Sequence, residues 1–508
     1  MALDSEEVKS CNQPKSSRSV PIRIILAFLL ITITTAVLLE FGILDSKLWK
    51  TKIIIESQPT EASVNNYHKF AIYPPFTPSD IHLYHVIEIL EQMGYKQTSI
   101  NDESWNLLWA HEYPFHKMGT RMKNILPHQI INHFPGIGFI TSKVDLSTAS
   151  LPFMPKAFRL PEQQAEFIKF ARDNPDSIFM EKNNKHRSIK IRPLNSINLN
   201  ASDCFLQEYV KNPFLVDGHK FDVGVYIVLT SVEPLIVYMY TGDILFRYCP
   251  EKYYPFNAKN IDKYVIGNDY LPTWKVPSLV KYFERFGGSM RSSFDAYVRD
   301  QSIDPSVIWV QAEEVVRQTI LSKINNISKA MQPFKNGKYF ELLRFDLIVD
   351  DKLQVHLMEV NMSPNLSSSH FKPNALLYQQ ILYNVLNLVG VGSPLLSAKR
   401  FFDEEDKITS DKSIAVNLND CAKYTCHKSC NKPECDLCLS CLKASEMNIL
   451  RKAHYEHLHK MEMKRIFPQA MVNPDQFKIK VEIQNLSTRD GWLTRWFYQK
   501  CKDDRSWC

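Results

Sequence analysis

Two apolar runs around a short acidic turn constrain this chain more than any other feature. "FELLRFDLIVDD" (Phe340–Asp351) and "LQVHLMEVNMS" (Leu353–Ser363) flank Asp350-Asp351-Lys352, and read as two strands joined by a turn. Glu359 and Asn361 are two residues apart, so on a strand they share one face. If the strands pair across the turn, Asp346 lies opposite them. Ser363-Pro364 then turns the chain away. Hard oxygen ligands from two strands make a Mg²⁺ site of the kind that also takes ATP phosphates as ligands. There the metal bridges the phosphates and neutralises developing charge. The plainer alternative is polar residues at ordinary strand ends, since Glu-x-Asn alone is a common pattern.

Cations suited to the same site lie upstream. "EKNNKHRSIKI" (Glu181–Ile191) follows the apolar "SIFM" and reads as strand, cationic loop and strand, with Lys182 facing phosphates; a solvated basic hairpin is the alternative. "FLQEYVKNPFLVDGHKFDVGVYIVL" sets Lys220 and Asp222 on one face of a strand. Arg247 in "ILFRYC" is a further cation within reach of a phosphoryl group, or a surface arginine. "LIVYMYTGDILFRY" reads as strands, and "NALLYQQILYNVLNLVGV" (Asn374–Val391) as a helix. Strands and helices in this order predict an α+β or α/β enzyme core. The hydrophobic content of 44% is that of a globular protein, and a net charge of +6 over 508 residues gives no reason to expect nucleic-acid binding.

The ends differ from this core. Residues 1–21 read as a disordered tail, and 22–44 as a transmembrane anchor, because Ile24 to Leu39 carries no charge. Residues 45–75 read as a linker. Lys9, Lys15, Arg18 and Arg23 before the apolar segment nearly balance Lys47, Lys50 and Lys52 after it. Residues 393–420 read as a charged linker, and 421–508 as a Cys-rich, basic and helical tail. "KASEMNILRKAHYEHLHKMEMKRIF" (Lys443–Phe467) has the pattern of one long helix. Eight cysteines, Cys421, Cys426, Cys430, Cys435, Cys438, Cys441, Cys501 and Cys508, fit disulfides; the C-x2-C-x2-C spacing from Cys435 with His427 nearby leaves zinc open. Asn200, Asn326 and Asn485 begin Asn-x-Ser triplets.

Together, "WNLLW" (Trp105–Trp109), "INHFPGIGFITSK" (Ile131–Lys143), "QEYVKNPFLVDGHKFD" (Gln207–Asp222), "FELLRFDLIVDD" and "MEVNMSPNL" (Met358–Leu366) resemble the tubulin–tyrosine ligase-like family over residues 76–392. The resemblance implies an ATP-grasp-like ligase core. It implies that ATP phosphorylates a protein carboxylate and that the amine of an amino acid, glutamate foremost, displaces the phosphate. It implies Asp346, Glu359 and Asn361 as metal ligands, and Lys182, Lys220, Asp222 and Arg247 around the phosphates, with Lys220 and Arg247 catalytic. Gln207, Glu208, Tyr209 and Val210 would line the adenine pocket, with Asn268 near the γ-phosphate. Three departures stand out: no glycine follows Lys182, Gly224 replaces an arginine, and Arg344 replaces a glycine. They admit a second reading, a membrane-anchored pseudoenzyme or binding scaffold. The expected location is single-pass membrane, with the catalytic domain cytosolic if tubulin is the acceptor and luminal if the cysteines form disulfides. Another acidic protein tail is the alternative acceptor.

Overall fold

The computed structural model describes residues 68–392 and 409–508, except 76, 78–80, 184–188, 193, 195–196, 201–203 and 335. Its described strands fall into three sheets in a mixed α/β arrangement. The first sheet is parallel and contains Lys69–Tyr73, Lys96–Thr98, Leu107–Ala110, Ile130–Ile131 and Lys338–Tyr339. Leu107–Ala110 is buried throughout, as expected of a parallel strand covered on both sides. The second sheet is small and antiparallel: Ala157–Leu160, β1 (Phe179–Asn183), Lys190–Arg192 and β2 (Cys204–Glu208). It has its own core of Phe158, Phe167, Phe179 and Leu206.

The third sheet is organised by β3 (His219–Val232), 14 residues long. β3 is buried almost end to end, so hydrophobic alternation is lost and the apolar run Val225–Leu229, mostly β-branched or aromatic, packs on both faces. One edge of β3 pairs with β4 (Leu235–Tyr240) and β5 (Leu245–Tyr248); the other pairs with β6 (Glu341–Val349), which pairs in turn with β7 (Val355–Asn361). The β6–β7 loop is longer than the sequence suggests. Asp350 Oδ1 accepts from the backbone of Lys352 and Gln354 at 2.9 and 2.8 Å, and Leu353 takes a left-handed conformation. Helix α1 (Ser306–Met331) packs on β6 and β7, and helix α2 (Asn374–Leu388) forms as its periodicity predicts.

The chain beyond residue 409 joins the same core. The single helix expected over Lys443–Phe467 divides into helix α3 (Ala444–His459) and strand β8 (Met463–Phe467), with Met461 left-handed between them. The cause is tertiary: β8 pairs along the edge of β4, and sheet pairing outweighs helix propensity there. Helix α4 (Thr488–Asp503) supplies Asp490, which accepts a hydrogen bond from Leu235 N at 2.7 Å, and Trp496, whose Nε1 donates to Ile414 O at 2.8 Å. Four disulfides, Cys421–Cys438, Cys426–Cys435, Cys430–Cys441 and Cys501–Cys508, pair all eight cysteines of this segment, so none of them is free to form the zinc site left open by the spacing.

The expected single-pass membrane location requires correction. No helix among the described residues is long and apolar enough to cross a membrane, and the segment 22–44 on which the expectation rested lies outside them. The disordered tail at 1–21, residues 45–67 of the linker expected over 45–75, residues 393–408 of the charged linker and the loop residues His186, Arg187 and Ser188 also lie outside the described residues, whereas Lys69–Tyr73, inside the expected linker, form a strand of the first sheet.

Candidate active site

Paired residues on adjacent strands point to the same face. Asp222 pairs with Arg247, Gly224 with Asp346, Asp346 with Glu359, and Arg344 with Asn361. β3, β5, β6 and β7 therefore bring one row of charged and amide side chains to a single face of the third sheet. Arg247 forks onto Asp222, Nε to Oδ1 at 2.8 Å and Nη2 to Oδ2 at 2.7 Å, and also reaches Asp346 Oδ2 at 3.0 Å. Arg344 forks onto Asp346, Nε to Oδ1 at 2.6 Å and Nη2 to Oδ2 at 2.9 Å. Asn361 Nδ2 lies 3.2 Å from Asp346 Oδ2 and 3.4 Å from Glu359 Oε1. Glu359 Oε2 meets Lys143 Nζ at 2.7 Å.

The electrostatics follow from burial and from these partners. Burial alone would raise the Asp346 carboxyl, but Arg344 and Arg247 outweigh it and hold the group below the usual carboxylate range. Asp222 goes the other way: burial and the Asp346 charge exceed the help from Arg247 and push it up to about 6. Lys182 falls to about 8, chiefly through burial, with Lys143 and Lys220 opposing its charge and Glu359 supporting it. Lys220 is also lowered by burial; its Nζ donates to Tyr264 O at 2.9 Å and sits 4.8 Å from the centre of the Tyr209 ring.

The second sheet faces this row with the remaining candidates. Lys182 Nζ on β1 donates to Gln207 Oε1 on β2 at 2.6 Å. Gln207 and Tyr209 are buried, while Glu208 is half-buried and accepts from Ser177 Oγ at 2.7 Å. Val210 follows, partly exposed, where β2 ends. Asn268 is the exception. It lies exposed in the turn before Leu271 and makes no hydrogen bond among the described residues.

One residue of the row has no role assigned from the sequence. Lys143 closes the stretch "INHFPGIGFITSK", but nothing local in the sequence joins it to Glu359, more than two hundred residues downstream. Arg344 departs from the family pattern in the sequence, where it either replaces the cation lost at Gly224 or obstructs the site. The structure makes it and Gly224, the other departure on this sheet, immediate neighbours.

The donor set suits a hard divalent cation. Two carboxylates and an amide converge, with Asn361 Nδ2 3.2 and 3.4 Å from the carboxylate oxygens, and turning the amide over would bring its Oδ1 to the place where a small cation takes oxygens from all three. Asp346 Oδ2 already accepts three hydrogen bonds, whereas Oδ1 accepts one and retains an acceptor direction. Among the described residues no three or more His, Cys, Asp or Glu side chains are placed to hold a metal ion by themselves. A cation here would thus need further oxygens, which phosphates can provide.

Comparison with known proteins fits this geometry. Residues 120–397 match the Tubulin-tyrosine ligase family, and the whole row lies within them. A Caenorhabditis elegans protein named "Probable tubulin polyglutamylase ttll-15" is 40% identical over 440 residues, covering 84% of each chain. Human "Tubulin polyglutamylase TTLL7" is 26% identical over 339 residues, covering 60% of this chain and 37% of that one. Mouse "Tubulin polyglutamylase TTLL6" is 28% identical over 344 residues, 62% of this chain and 40% of its own length. With the family match spanning more than half of the sequence and one relative aligned along most of both chains, this protein belongs to the tubulin-tyrosine ligase family.

Proposed function

We propose that the protein is a ligase of the polyglutamylase kind, using ATP and Mg²⁺ to add glutamate to a carboxylate of a protein tail, with tubulin as acceptor. The observation that carries this reading is the row itself: Asp346 and Glu359 opposite each other, Asn361 between them, and Lys143, Lys182, Lys220, Arg247 and Arg344 around them. The names of the relatives supply the acceptor and the amino acid. In this reading the second and third sheets form an ATP-grasp-like clasp.

Each residue then has work set by its surroundings. Asp346 Oδ1, Glu359 and Asn361 would hold Mg²⁺, which neutralises charge on the phosphates. The Lys182 and Lys220 ammonium groups, drawn from different sheets, would hold the phosphate chain from two sides. Arg247, fixed by Asp222, presents a rigid guanidinium where charge develops on the transferred phosphoryl group. Gln207, Glu208, Tyr209 and Val210 form the wall beside Lys182, where a base would stack. The acceptor carboxylate takes the γ-phosphoryl group with ADP leaving; the incoming amine attacks the acyl carbon, phosphate leaves and an amide forms.

The test is transfer of labelled glutamate to tubulin by the full chain with Mg·ATP. Transfer lost in Glu359→Gln supports the reading. Mg·ATP binding without transfer to any acceptor would favour the scaffold alternative.

One observation favours a second reading of the acceptor. Four disulfides form and persist most readily in oxidising surroundings. A ligase that matures there would act on an acidic tail of a protein sharing that environment. Mass spectrometry of glutamylated peptides, with and without the enzyme in cells, separates tubulin from such an acceptor.

A further inference from the structure

Arg344 and Gly224 are bound together by geometry. Arg344 lies opposite Tyr226, and Asp346 lies opposite Gly224, so the Arg344 side chain runs past position 224 to reach Asp346. A Cβ at 224 would stand 2.9 Å from Arg344 Cδ and 3.4 Å from its Cγ and Nε, closer than carbon atoms approach without repulsion. Gly224 has no left-handed backbone to justify it. It answers a need for space.

Stability does not account for this arrangement. A buried arginine–carboxylate pair offers little over apolar side chains of the same volume, because desolvation offsets the attraction. Yet the Arg344 side chain is only 9% exposed and meets both oxygens of Asp346. Such a fork fixes the plane of a carboxylate. It also leaves five cations, Lys143, Lys182, Lys220, Arg247 and Arg344, around the three carboxylates Asp222, Asp346 and Glu359. That excess suits a polyanion.

We propose that Arg344 is a positioning residue of the phosphate site: it aims the Asp346 carboxylate and adds positive charge beside it, and Gly224 is the opening that admits it. The proposal rests on the ATP-dependent reading above. Positions 224 and 344 share one volume beside Asp346, so the guanidinium can come from either strand but not from both.

The experiment is calorimetric titration of the full chain with Mg·ATP, together with Mn²⁺ binding followed by water-proton relaxation. Arg344→Gly is expected to weaken both by about tenfold or more, and Gly224→Arg alone to do the same by crowding. The double variant, Gly224→Arg with Arg344→Gly, is expected to return within about threefold of the wild type, whereas Gly224→Met with Arg344→Gly, which refills the shared volume without the charge, is not. Should Arg344→Gly fail to fold, Arg344→Ala, which also lacks the atoms beyond Cβ that a side chain at 224 would meet, replaces it, alone and with Gly224→Arg. A folded single variant that binds as tightly as the wild type would overturn the proposal, and so would a folded double variant carrying Gly224→Arg that is no better than the singles. A wild-type chain that binds no Mg·ATP would overturn both this proposal and the reading beneath it.

Discussion

Asp346 and Glu359 face each other across the β6–β7 pair, but they are held in opposite ways. Asp346 is buried beneath two arginines, whereas the Glu359 side chain is 30% exposed and meets one lysine. Substitutions should therefore separate them. Glu359→Gln should unfold at the wild-type temperature while losing glutamate transfer. Asp346→Ala strands the buried Arg344 and leaves Arg247 with Asp222 alone, and should cost about 3–5 kcal/mol of stability besides activity. Thermal unfolding of both variants, beside a transfer assay, checks the split.

Lys182 gives a pH dependence of known sign. Its folded-state value near 8 lies below its ordinary one, so between the two the unfolded chain holds more protons and stability rises with pH. Phosphate binding needs the ammonium form, so affinity should move the other way. Above pH 8 the Mg·ATP affinity should fall by up to about tenfold per pH unit, and Lys182→Met should flatten the profile. Calorimetry between pH 7 and 9 measures it.

His133 and Glu341 form a fully buried pair, Nδ1 to Oε1 at 2.7 Å, and Glu341 Oε2 also accepts from Phe134 N at 2.8 Å. Burial raises the Glu341 carboxyl, and His133 and the Phe134 amide counter it. Glu341→Ala leaves the imidazole and that amide without their acceptor in the core. It should destabilise the chain by about 3–5 kcal/mol, read as a large drop in melting temperature.

The disulfides close short loops, with separations of 17, 9, 11 and 7 residues. Each is worth on the order of 2–4 kcal/mol, mainly by restricting the unfolded chain. Reduction should speed amide hydrogen exchange over residues 410–508 before the first sheet responds. Exchange mass spectrometry with and without reductant tests this order.

The sequence revealed those parts of the site that depend on local spacing. Glu359 and Asn361 share a face because they are two residues apart, and the acidic turn brings Asp346 across from them. Lys220 and Asp222 follow the same rule on β3. What could not be read depends on distant register. Gly224 meets Asp346 only because β3 pairs with β6, more than a hundred residues away, and Lys143 arrives from a separate helix. Three pairings among Cys421–Cys441 are one choice of about fifteen that six cysteines permit. β8 was hidden because its residues continue a helical pattern, and only the free edge of β4 selects a strand. Asn268, which the family pattern would set near the γ-phosphate, lies exposed in the turn before Leu271 and outside this row.

β8 also decides where the protein can be cut. The family match ends at residue 397, which invites a shortened chain. Such a chain would lack β8 and uncover the backbone of Leu235–Tyr240, six consecutive buried residues. A bare, apolar strand edge recruits other strands, so the shortened molecule would stick to its own copies. Failed expression of that fragment would report a missing neighbour, with no bearing on catalysis.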